Sequence, residues 1–138
     1  MHARMEKLKT RHSIALHEEH CEVHFRIAGY WEADAMRAFQ DRLSHACVPL
    51  VQAGKPLHVM GEMADFVPQS RETANMIRKH LEFSRKFGLK KVAILNPSRL
   101  VRDQYRRVSK GIDVQFFTNR IDAIAWLRGA PAIIQPAV

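Results

Sequence analysis

Apolar and polar residues alternate at the start of the chain and then change period. Ile14 and Leu16, followed by Cys21, Val23, Phe25 and Ile27, recur at every second position, as strands buried on one face do. A turn over His17–His20 would pair Leu16 with Cys21 and Ile14 with Val23, keeping both apolar sets on one side of an antiparallel hairpin. From Trp31 the spacing becomes three and four. Met36, Phe39, Leu43, Ala46/Cys47 and Leu50 then form one stripe of a helix. Gly54 closes that helix, and Pro49 is expected to kink it or end its regular part early. Leu57, Val59 and Met60 predict a third strand. Ser70 to Phe87 predicts a second helix stopped by Gly88, and the unbroken Val92–Leu95 run a central strand covered on both faces. Asn96-Pro97 reads as N-cap plus first-turn proline, opening a third helix over 97–110 that ends at Gly111. Ile112, Val114, Phe116 and Phe117 predict a fifth strand, and Ile121–Leu127 a last helix ended by Gly129. Glycine after each predicted helix suits the left-handed C′ position, which it adopts without steric cost.

The order is therefore ββαβαβαβα. It predicts an α/β domain with a mainly parallel five-stranded sheet, opened by an antiparallel hairpin, with helices packed on its faces. A chain of 138 residues is one domain by size and buries enough surface to fold without a disulfide or metal. We place an N-terminal extension at 1–11, the domain at 12–128 and a C-terminal tail at 129–138.

The apolar stretches are too short for a membrane helix. MHARMEKLKTRHS has no apolar core and is not read as a secretory signal. The two cysteines, Cys21 and Cys47, make no framework spacing and are expected to be reduced residues of a cytoplasmic protein. His12, His17, His20 and His24 surround Cys21, but the pleat sends His20 and Cys21 to opposite faces. His24 lies about 13 Å along the strand from His20, so no metal site is expected. No nucleophile elbow and no glycine-rich phosphate loop occur. Neither catalytic residues nor a cofactor are expected.

Charge is distributed unevenly. Residues 71–110 hold 12 Lys and Arg against 3 acids, whereas the chain as a whole is +8. On the second helix Arg71, Arg78 and Arg85 repeat every seven residues beside Lys79. On the third, Arg99, Arg102 and Arg106 oppose its apolar side. A docking surface for an acidic protein partner or an anionic headgroup is the reading this asymmetry favours; two solvated faces are the plainer one. Nucleic acid ranks third, because the stripe lacks exposed aromatics and a helix-turn-helix pattern. In an open α/β sheet, ligands sit beyond the carboxyl ends of the strands. Asp65, Ser70, Asn96, Ser98, Thr118 and Asn119 would line that rim, although the same residue types are also what helix starts require.

Several strings carry a family resemblance. Gly29-Tyr30-Trp31 links the second strand to the first helix. Phe116-Phe117-Thr118-Asn119-Arg120 precedes Asp122-Ala123-Ile124-Ala125-Trp126-Leu127. Over residues 12–128 the chain resembles the STAS superfamily, in particular its SpoIIAA-like (STAS/SEC14-like) branch of small bacterial proteins. The resemblance implies a non-catalytic binding or regulatory domain that docks on a partner protein. It also implies a phospho-acceptor serine at the start of the helix after the third strand, which here is Ser70. In the family an Asp usually precedes that serine and small residues follow it; here Gln69 precedes and Arg71-Glu72 follow. The SEC14-like side implies an alternative: a hydrophobic-ligand or lipid-associated domain using Phe66, Phe83, Phe87, Trp126 and the apolar tail. A homodimer through the hairpin edge and the tail is also expected.

Overall fold

The structure, a computed structural model, describes residues 6–129. Its strands are β1 (Arg11–His17), β2 (Glu22–Ala28), β3 (Leu57–Glu62), β4 (Leu89–Leu95) and β5 (Asp113–Phe117). Its main helices are α1 (Ala33–Gln52), α2 (Arg71–Lys86), α3 (Arg99–Val108) and α4 (Arg120–Leu127). The five strands stand in sequence order, β1 antiparallel to β2 and the other neighbours parallel.

Because the parallel strands advance in one direction, the three crossover helices α1, α2 and α3 fall on one face. There Val23, Ile27, Val59, Val92 and Ile94 meet Met36, Phe39, Leu50, Val101 and Tyr105 in the main core. Helix α4 follows the last strand and folds back beneath the other face, onto Met60, Ala93 and Leu95 through Ala123 and Leu127. The unbroken apolar run of β4 is thereby explained: Val92 and Ile94 serve one layer, Ala93 and Leu95 the other.

Three local expectations need correction. The hairpin register is Leu16 with Val23 and Ile14 with Phe25. A 3-10 turn over Glu18–His20, followed by Cys21 at φ +52°, uses up four residues. The shift is two places, so the faces keep their parity. Helix α3 starts at Arg99 rather than residue 97, because Asn96 sits at φ +54° and cannot cap it; Ser98 does, accepting from Val101 N at 3.2 Å. Pro49 lies inside α1, which runs on to Gln52. Proline there forfeits only one backbone bond in the last turns. The glycines expected at helix ends, Gly54, Gly88, Gly111 and Gly129, all have positive φ. The predicted tail from residue 130 onward lies outside the described residues.

Candidate functional site

The rim at the carboxyl ends of the strands is built of caps. Ser70 Oγ accepts from Thr73 N at 3.1 Å and opens α2; Asn119 Oδ1 accepts from Asp122 N at 2.9 Å and opens α4. Asn96 donates through Nδ2 to Glu62 at 3.4 Å, while Asp65 is exposed with Arg11 3.9 Å away. Thr118 is exposed beside Asn119. Gln69, the residue that departs from the phospho-acceptor pattern, is buried. Its side chain accepts from Trp31 N at 2.8 Å and donates to Gly29 O at 3.0 Å. Thr73 Oγ1 donates to Trp31 O at 2.8 Å. The Gly29-Tyr30-Trp31 step is thus bracketed to the start of α2. At Gly29 (φ +94°) a Cβ would lie 2.3 Å from Lys9 O, so glycine is required both by conformation and by contact.

The basic residues do not merge into one stripe. Arg78 is engaged along its own helix by Asn75 and by Glu82 at 3.0 Å. Arg85 reaches toward the turn at Gly111. On α3, Arg106 leans over the Phe116 ring of β5 at 5.1 Å, and Arg102 Nε is buried without a partner among the described residues. Arg71, Lys79 and Arg99 are exposed.

A concavity lies between α1 and α2. It is a cleft of about 330 Å³ floored by Phe25, Ile27, Val59 and Val92 of the sheet. Phe83 and Phe87, with ring centroids 4.8 Å apart, belong to its lining together with Val48, yet are 55%, 50% and 42% exposed. Of the aromatics expected around a pocket, Phe66, Phe83 and Phe87 line it. Trp126 does not: it is on the α4 side, against Phe117 at 5.7 Å and under Lys91. Gly61 lets the cleft floor form, because the Phe25 ring packs where a Cβ would stand, 2.3 Å away. Two bridges span the helices: Gln40 Nε2 donates to Met76 O at 3.3 Å, and Ser44 Oγ meets His80 Nε2 at 3.0 Å. Burial pushes the His80 pKa down, against the opposing pull of Asp41. Cys47, also in the lining, is pushed up to about 11 by burial and by Cys21. Both cysteines are free.

Periodicity gave no sign of the Ser44–His80 bridge, because both residues occupy polar positions of amphipathic helices. It equally missed a charged cluster on the α4 side. Glu22, wholly buried, accepts from Arg128 Nε at 2.9 Å and Nη2 at 3.1 Å, and bonds His24 Nε2 at 2.9 Å. Arg120 reaches His24 Nδ1 at 3.0 Å, and the His17 ring lies 4.0 Å from that of His24. Since Arg120 can only donate, His24 Nδ1 must accept, so Nε2 carries the proton and faces Glu22. Burial works to raise the Glu22 pKa, but the bonds from Arg128 and His24 outweigh it and hold the carboxyl below its usual range. Burial, His17 and Arg120 press His24 down against Glu22's opposing pull. Among the described residues no three His, Cys, Asp or Glu side chains gather as a metal site, and no helix is long and apolar enough to cross a membrane.

Comparison places this architecture. A crystal structure of a DUF3478-family protein with a SpoIIAA-like fold from Shewanella loihica PV-4 superposes with a TM-score of 0.65 at 19% identity, covering 86% of this chain and 95% of that one. The anti-sigma factor antagonist SpoIIAA in its unphosphorylated form gives 0.56 at 17% identity, covering 89% and 99%. These likenesses establish the fold. No curated protein matches the sequence. The SpoIIAA-like family profile matches residues 23–128, from the second strand through the last helix, and the chain belongs to the SpoIIAA-like family.

Proposed function

We propose that the protein is a non-catalytic, cytoplasmic binding domain whose ligand seat is the apolar cleft between α1 and α2. One observation carries this: a cleft of about 330 Å³ with exposed Phe83, Phe87 and Val48 along it. That volume falls within the ~300–1,000 Å³ usual for small-molecule sites. Leaving two neighbouring phenylalanines half in water is unfavourable at roughly 25 cal/mol per Å² of apolar surface, and a hydrophobic ligand would remove that cost. Native mass spectrometry of the purified chain tests the reading. The expected result is a fraction carrying a small apolar or amphipathic molecule that dissociates on denaturation. Bare mass throughout, with no uptake of added amphiphile, counts against it.

A second reading keeps the basic helices as a docking surface for an acidic protein partner or an anionic headgroup. The uncompensated charge of residues 71–110 favours it. Exposed Arg71, Lys79 and Arg99 would make its contacts, with Arg78, Arg85, Arg102 and Arg106 adding to the field. Reversing Arg71 and Lys79 to glutamate should abolish salt-sensitive binding of such a partner; binding that survives the reversal refutes this surface. Within this reading, a phosphate on Ser70 would meet the free N–H groups of the first turn of α2. The rim residues Asp65, Asn96, Ser98, Thr118 and Asn119 would border the partner. A homodimer through the β1 edge completes the proposal, and light scattering at one-protomer mass would remove it.

A further inference from the structure

We infer that Ser44 and His80 read the head group of the cleft's ligand, and that this ligand is a single-chain amphiphile with a neutral hydroxyl or un-ionised carboxyl head. The inference rests on the cleft being the ligand seat. Ser44 on α1 and His80 on α2 both belong to the lining of an otherwise largely apolar cleft, and bond each other across it at 3.0 Å. Gln40, one turn before Ser44 and also in the lining, gives one amide N–H to the Met76 carbonyl. The Ser44–His80 pair has capacity left over.

Proton counting makes that capacity independent of tautomer. If the Ser44 hydroxyl donates to Nε2, the ring carries its proton on Nδ1, leaving one donor there and lone pairs on Oγ. If Nε2–H donates instead, the serine O–H is the spare donor and Nδ1 the spare acceptor. Either way a neutral pair offers one donor and one acceptor. A hydroxyl, or a protonated carboxyl, gives and takes one proton in the same way. A carboxylate only accepts, and one donor would leave it undersatisfied in an apolar surrounding. The ring stays neutral because burial disfavours its charged form; Asp41, three residues before Ser44, pulls the other way but makes no hydrogen bond to it among the described residues. The size of the cleft argues for one alkyl chain, since about 330 Å³ is near the lower limit of the ~300–1,000 Å³ range.

The test is displacement of the neutral dye N-phenyl-1-naphthylamine from the full chain, followed by fluorescence, with 1-decanol and decyl methyl ether as competitors. The ether has the alkyl chain and an acceptor but no donor. One hydrogen bond made in a sheltered site should favour the alcohol by about three- to tenfold. In the double variant Ser44→Ala/His80→Phe the preference should collapse to parity, because either residue alone keeps a donor and an acceptor, and Ser44→Thr, which keeps the hydroxyl, should retain it. Equal affinities in the unmodified protein overturn the inference without touching the cleft reading. So does a preference that survives in the double variant Ser44→Ala/His80→Phe. Failure of the dye and both competitors to bind overturns the cleft reading and this inference with it.

Discussion

Replacing Arg128 by alanine should cost more stability than altering the glutamate it holds. The Glu22 side chain is fully buried, whereas that of Arg128 is 37% exposed. Removing the arginine strands a carboxylate in the interior with only His24 to bond it. Stripping the partner from a buried charge costs about 3–5 kcal/mol. The bridge is partly reached by water on the arginine side, so we take the lower end, about 3 kcal/mol. For a domain of this size that is a fall of about 10 °C in Tm. Glu22→Gln, by contrast, keeps an acceptor for His24 and frees Arg128 to hydrate, and should cost about 1 kcal/mol. Thermal denaturation followed by circular dichroism at pH 7.5 measures both. The double variant should lose less than the sum, because no buried charge is left to strand. The deficit of Arg128→Ala should also shrink toward pH 5, as the stranded carboxyl takes up a proton. A Glu22→Gln variant less stable than Arg128→Ala, or an Arg128→Ala variant within 2 °C or so of the parent, refutes the reasoning.

Two further outcomes follow from the same geometry. Acid should destabilise the parent protein. His24, His58 and His80 are all held below the ordinary imidazole value, chiefly by burial, so the unfolded chain protonates first as pH falls below about 6.5. Glu22, also depressed, adds its loss at lower pH as it protonates in turn. A Tm that rises between pH 7.5 and 5 would contradict this. Gly61→Ala should cost about 1–3 kcal/mol, because its Cβ would fall on the Phe25 ring. It should also weaken dye uptake, since that ring floors the cleft. A variant unchanged in urea melts and in dye binding would show that the contact relaxes freely.

Layer and order were legible in the sequence because they follow from local rules. Alternation marked β1 and β2, the Val92–Leu95 run marked a strand covered twice, and glycines marked the helix ends. Register was not, since pairing Leu16 with Cys21 and pairing it with Val23 leave the same faces buried. The α3 start was misplaced because Asn96-Pro97 satisfies the cap rule in composition, while Asn96 instead takes a left-handed turn and passes the cap to Ser98. The cleft follows from how far apart α1 and α2 stand, which no period encodes. The Glu22 cluster joins residues about a hundred positions apart. Glu22 and His24 alternate with apolar residues as solvent-facing positions of a strand would; the return of α4 brings Arg128 and Arg120 onto them.

A crystal structure of the protein grown with 1-decanol would show directly whether the cleft is a ligand seat. The expected result is a chain of density between α1 and α2, its alkyl part against Phe25, Phe83 and Phe87 and its oxygen within hydrogen-bonding distance of Ser44 or His80. A cleft filled by the protein's own side chains, or alcohol bound elsewhere with this cleft empty, would contradict it.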